Sequence, residues 1–198
     1  MLRIALTGPI AAGKSVVSAR LRQLGLTVLD ADELAHAAIA PGSAGAREVG
    51  EIFGPTVMTS DEVVDRAALG AVVFADPAAR QRLEAIIHPQ VSAQMADLAA
   101  AAEQLGEAAV VCDIPLLIET GQALDFDLVL VVEAPADLRL SRLVNGRGLP
   151  EPQARQRIAA QATPEQRAAV ADIIFDGSGS VEALQAQVDR WWRQHSGC

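Results

Sequence analysis

The residues most capable of chemistry stand near the start of the chain, where residues 8–15 match the spacing G-x-x-x-x-G-K-S/T. Where such a loop opens a helix, its backbone N–H groups and the helix dipole bind phosphate oxygens. Lys14 is then expected to reach the β- and γ-phosphates of a nucleotide, and Ser15 to hold Mg²⁺ through its hydroxyl. The residues expected to line the phosphates are Gly8, Ala11, Ala12, Gly13, Lys14, Ser15 and Val16. The motif therefore predicts a nucleoside triphosphate, such as ATP, and Mg²⁺ as ligands.

Lys14 stands out by composition as well as by motif. The chain has 16 Lys and Arg residues, and Lys14 is the only lysine. An ammonium is a compact point charge, whereas a guanidinium is a planar fork, so the two are not interchangeable in a tight site. A lysine kept in a chain that otherwise uses arginine is a candidate functional residue. The alternatives are chance survival of one surface lysine and a glycine-rich turn that binds nothing.

Acidic residues stand where two predicted strands end. Asp32 follows the strand at 27–30, where one carboxylate could accept the proton of an acceptor hydroxyl. The alternative is that Asp30 or Asp32 caps the next helix. Asp113 ends the strand at 110–113 and resembles a Walker B acid, which binds Mg²⁺ directly or through water. Its alternative is a turn residue ahead of Pro115.

Arginines cluster late in this acidic chain, and their guanidinium groups suit phosphate oxygens. They are Arg139, Arg142, Arg147, Arg155, Arg157 and Arg167. Arg142 and Arg147 are expected to contact phosphate from a mobile lid, with Arg142 contributing little to the resting fold. The alternative is a solvated helix face, which is the interpretation we favour for Arg155.

The single lysine also limits the choice of nucleotide chemistry. An Asn-Lys-x-Asp guanine motif needs a second lysine, so a regulatory GTPase is excluded. Motor and AAA-type ATPases are usually larger than this chain. Small size, helical insertions and the late arginine cluster favour a small-molecule kinase, whose lid excludes water from the phosphates.

Composition excludes several other classes of protein. The chain has 198 residues, is 51% hydrophobic and 21% charged, and carries a net charge of -9. This charge, with 3% aromatic residues and no Tyr, argues against nucleic-acid and anionic-membrane partners. Without a leader pattern or an apolar run of about 18 residues, a soluble cytoplasmic protein is expected. Cys112 and Cys198 do not form a disulfide framework, and Cys112 is expected to be a buried small hydrophobe.

Short apolar runs alternate with helical patterns along the chain. Five runs lack polar alternation, as parallel strands covered on both faces do, at residues 3–7, 27–30, 110–113, 128–132 and 173–175. Helices are predicted at 14–24, where Gly25 ends the helix, and at 181–194, where apolar spacing suits docking on a sheet. The pattern predicts an α/β fold with a doubly wound, parallel, five-stranded sheet.

Two segments between the strands are predicted to be helical insertions. The segment 31–107 would hold a helix from Pro77 that Pro89 kinks or breaks and that resumes at 93–105. We expect an acceptor site in this lobe, where His88 is either a packed core residue or a ligand contact. The second insertion, about 136–170, contains the arginine cluster.

Taken together, these residues resemble the dephospho-coenzyme A kinases over nearly the whole chain. The His88-Pro89 pair and the segment 113–117, Asp-Ile-Pro-Leu-Leu, are the most specific elements. The others are Leu6-Thr7-Gly8, Asp30-Ala31-Asp32, Pro41-Gly42, Asp65-Arg66 with Leu69 and Phe74, Leu83-Glu84, Ile118-Glu119, Arg142-Leu143, Arg147, Arg157-Ile158 with Gln161, and Asp172 with Asp176. The late sequence is most similar to actinobacterial members, some of which carry an extra C-terminal domain that this chain is expected to lack.

The resemblance implies a single P-loop kinase domain over 1–198 in three parts. These are a nucleotide core at about 1–30, 107–135 and 171–198, a coenzyme A-binding insertion at about 31–106, and a lid at about 136–170. It implies that ATP, with Mg²⁺, phosphorylates the ribose 3′-hydroxyl of dephospho-coenzyme A. The oligomeric state is left open.

The resemblance also implies roles for individual residues. Lys14, Asp32 and Arg142 take catalytic positions, with Asp32 as candidate base. On the same grounds, the acceptor substrate is expected to contact Asp32, His88, Asp113 and Leu116. Arg147 is expected to contact the nucleotide. The metal is expected to be bound by Ser15 and Asp113.

The sequence departs from the family's usual pattern at three positions. Pro9 and Ala11 stand where the family usually has glycine, which is expected to weaken nucleotide binding. Gly177 stands where the family usually has Asn after Asp176, which changes the expected adenine-side contacts at 176–180.

Overall fold

The computed structural model describes residues 1–195, so the expectation for Cys198 lies outside the described residues. Five strands form one sheet: β1 (Leu2–Thr7), β2 (Thr27–Asp30), β3 (Ala109–Asp113), β4 (Leu128–Glu133) and β5 (Ile173–Asp176). Their order is β2-β3-β1-β4-β5, and β1 pairs in parallel with both β3 and β4. The predicted α/β fold with a five-stranded parallel sheet is confirmed.

Helices connect these strands. They are α1 (Lys14–Gln23), α2 (Ala31–Ala38), α3 (Ala44–Phe53), α4 (Arg66–Ala75), α5 (Pro77–Gln104), α6 (Ala136–Ser141), α7 (Glu151–Ala159), α8 (Pro164–Val170) and α9 (Val181–His195). A π-helical turn, Arg142–Gly146, follows α6, and 3₁₀ turns lie at Pro55–Val57 and Gln122–Asp125. Within residues 1–195, none of the helices combines the length and the apolar character that crossing a membrane requires.

Apart from Asp30, the sheet lies in the first of two compact units, which among the described residues comprises Met1–Leu29 and residues 102–195. Its main core cluster lies on one face of the sheet, where alternate strand residues such as Ile4, Leu6 and Val111 point. Residues of the opposite face, such as Ala5 and Val110, are buried as well, as expected of parallel strands covered on both faces. α9 supplies Leu184, Val188 and Trp191 to this core, and the Trp191 ring meets Phe175 edge-on at 6.1 Å. The predicted docking of the last helix on the sheet agrees with this packing.

The second unit, Asp30–Ala101, is helical and has a core of its own. Polar side chains start its helices by accepting backbone N–H bonds: Asp30 caps α2, Ser43 caps α3 and Asp65 caps α4. The buried core residues are Ile39, Ala46, Val49, Val57, Val64, Leu69 and Ile86. The helical character expected between the second and third strands is therefore present.

We predicted that Pro89 would kink or break its helix, and the prediction of a break is wrong. α5 runs without interruption from Pro77 to Gln104 with Pro89 inside it. A proline removes one N–H donor and frees the carbonyl four residues earlier, here that of Ala85. Both Ala85 and Pro89 are exposed, so water can satisfy that carbonyl and the helix tolerates the proline.

Candidate active site

The loop between β1 and α1 contains positions where a side chain has no room or where the backbone conformation favours glycine. A Cβ on Gly8 would lie 2.5 Å from the carbonyl oxygen of Val132 in β4, so only glycine fits there. Gly13, directly before α1, has φ 114°, a conformation that glycine adopts without strain. Ala11 has φ 63°, the left-handed region, although it carries a Cβ. The chain thus builds this loop with an alanine in a conformation that favours glycine.

The same loop presents backbone N–H donors at the start of α1. Gly13 precedes the helix without a side-chain cap, so the first turn has no internal acceptor. Within residues 1–195, no protein acceptor is found for the N–H groups of Gly13, Lys14 and Ser15. By contrast, Ala12 N–H donates to the Pro9 carbonyl over 3.1 Å. The donors of residues 13–15 fit an anionic group such as a nucleotide phosphate.

Lys14 and Asp113 come together beside this loop. Asp113 ends β3 opposite Leu6 of β1 and is 2% exposed, whereas the Lys14 side chain is 20% exposed. The Lys14 ammonium forms an ion pair with the Asp113 carboxylate. A buried carboxylate is stabilised by a hydrogen-bonded cation. Two of the predicted site residues, 99 positions apart in sequence, therefore meet at the carboxyl ends of adjacent strands.

The predicted metal ligands suit a metal that keeps several waters. Ser15 is exposed in the first turn of α1, next to Lys14. Among residues 1–195, no group of three or more His, Cys, Asp or Glu is placed to hold a metal. Mg²⁺ in nucleotide sites is usually held by one or two protein groups together with phosphates and water. Ser15 and Asp113 fit that limited role.

Arg142 lies against the loop between β1 and α1, residues 8–13, which we call the phosphate loop, and is the first residue of the π-helical turn. Its Nη1 donates to the carbonyls of Ala11 and Ala12 over 3.0 and 3.3 Å. Its Nη2 donates to the carbonyl of Gly177 over 2.7 Å. The expectation that Arg142 contributes little to the resting fold is wrong, because one guanidinium joins the loop to the turn after β5.

Two arginines of the late cluster are buried in the protein interior. Arg167 is 3% exposed, forms an ion pair with Glu133 and also donates to the Ala162 carbonyl. Arg139 is 4% exposed and donates from Nε to the Ala134 carbonyl over 3.1 Å. Burial lowers the pKa of the Arg139 guanidinium, and the nearby charge of Arg167 lowers that pKa further. Both arginines act as parts of the packed core around the end of β4.

The remaining arginines of the cluster face solvent. Arg155 pairs with Glu151 one turn earlier on α7, and both side chains are more than half exposed. This pair agrees with the solvated interpretation of Arg155. Arg147 and Arg157 are also exposed. The role of Arg147 on the nucleotide side stays a prediction.

A further group of contacts, which the residue patterns alone did not indicate, ties the segment after α7 to the phosphate loop. The Gln161 side-chain oxygen accepts the Ile10 N–H over 2.9 Å. Glu119 accepts the Ala162 N–H over 2.9 Å. A small depression lies among these groups, lined in part by Gly8, Pro9, Pro115, Glu119, Gln161 and Arg167. In the sequence, only the family resemblance indicates Gln161.

The acceptor-side residues are placed by the second unit and by the turn after β3. Asp30 caps α2 by accepting the N–H groups of Asp32 and Glu33 over 2.9 and 3.2 Å, which settles the capping alternative in favour of Asp30. The Asp32 side chain is exposed in the first turn of α2, and His88 is exposed on α5. Leu116 is 49% exposed. The roles of Asp32, His88 and Leu116 stay predictions.

Residues 2–183 match the family model described as dephospho-CoA kinase. The chain belongs to the dephospho-CoA kinase family. A dephospho-CoA kinase of Frankia casuarinae is 48% identical over 98% of this chain and 83% of its own length. That of Thermobifida fusca is 44% identical over 98% of this chain and 96% of its own length. The chain spans 47% of the length of the Mycolicibacterium paratuberculosis relative, with 46% identity.

Solved structures share the fold of this chain. TT1252 from Thermus thermophilus has a TM-score of 0.82 and 32% identity, covering 98% of this chain and 97% of that one. A dephospho-CoA kinase from Campylobacter jejuni has a TM-score of 0.76 at 24% identity, covering 98% and 97%. A shikimate kinase from Acinetobacter baumannii has a TM-score of 0.52 at 16% identity, covering 100% and 94%, and shares the fold alone.

Gly177 stands where a side chain has no room. A Cβ at this position would lie 2.0 Å from the carbonyl oxygen of Ala12, closer than any side chain can approach. The Asn that the family resemblance leads us to expect at this position would meet the same obstacle. In this chain, the turn after β5 therefore lies against the phosphate loop because residue 177 has no side chain.

Proposed function

We propose that this protein transfers the γ-phosphoryl group of ATP to the ribose 3′-hydroxyl of dephospho-coenzyme A, giving coenzyme A and ADP. Family membership supports this activity. The observation that carries the proposal is the ion pair of Lys14 with Asp113 beside the N–H groups of residues 13–15, which have no protein acceptor within residues 1–195. Such a site holds the phosphates of a nucleotide and neutralises charge as the phosphoryl group moves.

Each residue has a distinct part in this proposal. Lys14 binds the oxygens between the β- and γ-phosphates, and the N–H groups of the loop orient the phosphate chain. Asp32, whose carboxylate does not cap its helix, accepts the proton of the 3′-hydroxyl as the new P–O bond forms. Mg²⁺, held through Ser15 and Asp113 together with phosphate oxygens, supplies charge neutralisation when bound.

Arg142 combines a structural and a catalytic part in the proposal. A guanidinium has five N–H groups, and the bonds to the carbonyls of Ala11, Ala12 and Gly177 use three of them. The other two remain able to meet a phosphate oxygen. Arg147, exposed just after the π-helical turn, approaches the nucleotide from the segment 136–170, which we propose acts as the lid.

A substrate panel tests the proposed activity. Purified protein is incubated with ATP, Mg²⁺ and one acceptor at a time: dephospho-coenzyme A, shikimate or a nucleoside monophosphate. We expect ADP release and a phosphorylated product with dephospho-coenzyme A only. A chelator should abolish the release and added Mg²⁺ should restore it. ADP release with another acceptor would identify a different small-molecule kinase, and ATP binding without release would indicate a regulatory protein.

A further inference from the structure

The turn after β5 is fastened to the end of β4 and touches the phosphate loop. The Gly177 N–H donates to the Glu133 carbonyl over 2.7 Å, and the Ser178 N–H donates to the Asp176 carboxylate over 2.8 Å. The backbone of Gly177 is not in the left-handed region, so its dihedral angles do not require glycine. The contact with Ala12 requires it, since a Cβ would lie 2.0 Å from the Ala12 oxygen.

Arg142 forms hydrogen bonds to both segments of this contact, the phosphate loop and the turn after β5. Its fork donates to Ala11 and Ala12 with one nitrogen and to Gly177 with the other. The carbonyls of Ala12 and Gly177 therefore point toward one guanidinium. A planar fork can bridge two acceptors in this way, whereas a lysine ammonium offers a single point charge.

The orientation of the Ala12 carbonyl fixes that of the next N–H group. The carbonyl of Ala12 and the N–H of Gly13 belong to one planar, trans peptide unit, in which the two bonds point in opposite directions. When the carbonyl is turned toward Arg142, the Gly13 N–H is turned away from it. Gly13 N–H is one of the donors that have no protein acceptor within residues 1–195.

We propose that Gly177 is a positioning residue for nucleotide phosphate, acting through the Ala12–Gly13 peptide. Because residue 177 has no side chain, the turn leaves room for the Ala12 carbonyl, and Arg142 holds that carbonyl in place. This arrangement orients the Gly13 N–H toward a bound phosphate and supports a loop that has Ala11 in a left-handed conformation. The inference rests on the proposed function, in that the phosphate belongs to the nucleotide substrate.

The test compares Gly177→Ala with Gly70→Ala, two substitutions that change the unfolded chain equally. Gly70 is exposed in α4, and a Cβ there would meet nothing within 4 Å outside the backbone of its own helix. Calorimetric titration with Mg-ADP is expected to show at least about tenfold weaker binding for Gly177→Ala and a change within about twofold for Gly70→Ala. The KM for ATP should rise in Gly177→Ala while the KM for dephospho-coenzyme A stays the same.

Arg142→Lys supplies a second measurement that does not depend on the folding of Gly177→Ala. This substitution should also weaken Mg-ADP binding. The double variant Gly177→Ala/Arg142→Lys should bind Mg-ADP no more weakly than the weaker-binding single variant, because both substitutions release the same Ala12–Gly13 peptide. Unchanged ADP affinity in Gly177→Ala or in Arg142→Lys would overturn the inference. If the parent protein transfers phosphate but Gly177→Ala binds ADP equally well, only this inference fails. If the parent binds no nucleotide, the proposed function fails as well.

Discussion

The ammonium of Lys14 is paired with the carboxylate of Asp113, so the cation of the phosphate loop is held at the end of β3. The Asp113 side chain is 2% exposed, so its ion pair fixes the position of the Lys14 ammonium. β1 and β3 are neighbours in the sheet, and the pairing of Leu6 with Asp113 sets the register that brings the two charges together. The geometry of the site is therefore built into the sheet.

Lys14→Arg should nearly abolish turnover although the charge is kept. A guanidinium fork is larger than an ammonium and cannot occupy the position beside Asp113 while reaching phosphate. Steady-state kinetics with ATP and dephospho-coenzyme A measure the effect. The reverse substitution Arg22→Lys, on an exposed position of α1, is the control and should leave turnover unchanged. Turnover of Lys14→Arg within about threefold of the parent would remove the role given to this lysine.

Asp32→Asn should lower kcat by on the order of 10²-fold, with ATP binding unchanged. Asparagine keeps the shape of the side chain but is a poor proton acceptor. Because Asp30 caps α2, the substitution should also leave the Tm unchanged. Glu33→Gln removes the neighbouring exposed carboxylate and should have no effect on kcat. A normal kcat in Asp32→Asn would leave this residue without a catalytic part.

Arg142→Ala should reduce both activity and stability. Loss of its bonds to three carbonyls is expected to cost about 2 kcal/mol of the free energy of unfolding. Loss of phosphate contact should lower kcat at least about 10²-fold. Thermal unfolding and single-turnover kinetics separate the two effects.

Arg155→Ala is the matched control for Arg142→Ala. Its pair with Glu151 is exposed, so its loss should cost at most about 0.5 kcal/mol and leave kcat unchanged. Equal losses of activity in the two variants would mean that the arginines act as a diffuse positive surface. A normal kcat in a less stable Arg142→Ala would confine Arg142 to its structural bonds.

Cys112 should make the protein less stable at high pH. Burial raises the pKa of its thiol to about 11, above the ordinary value of 9.0. The folded state then keeps a proton that the unfolded state loses, so this stabilisation is present below pH 9 and is lost as pH rises toward 11. Urea unfolding of the parent and of Cys112→Ala measures it. The stability advantage of the parent should shrink between those two values, and a constant difference would contradict the assignment.

Much of the fold could be predicted because buried parallel strands leave a simple pattern. The run that became β3 has no polar residue before Asp113, and the structure buries every residue of it. The phosphate loop was predictable for a similar reason, since its glycines, its lysine and the helix that follows lie within one short segment. In both cases the sequence neighbours are also the physical neighbours.

The long-range contacts of Arg142 and Arg167 could not be predicted because the partners are distant in sequence. Arg167 meets Glu133, 34 positions away, and Arg142 meets Ala11, 131 positions away. Nothing in the local pattern distinguishes these arginines from Arg155, whose partner lies four positions away on the same helix. The absence of a break at Pro89 could not be predicted, because tolerance of a proline depends on whether the freed carbonyl faces water, which tertiary structure decides.

The sheet order has a consequence for amide hydrogen exchange. β1 lies between β3 and β4, so its backbone amides can exchange only when the middle of the sheet opens, whereas β5 is an edge strand with one neighbour. The phosphate loop extends from the slowly exchanging strand, and the turn containing Gly177 extends from the edge strand. Local unfolding at β5 would thus release the turn from Arg142 while the strand leading to Lys14 stays folded.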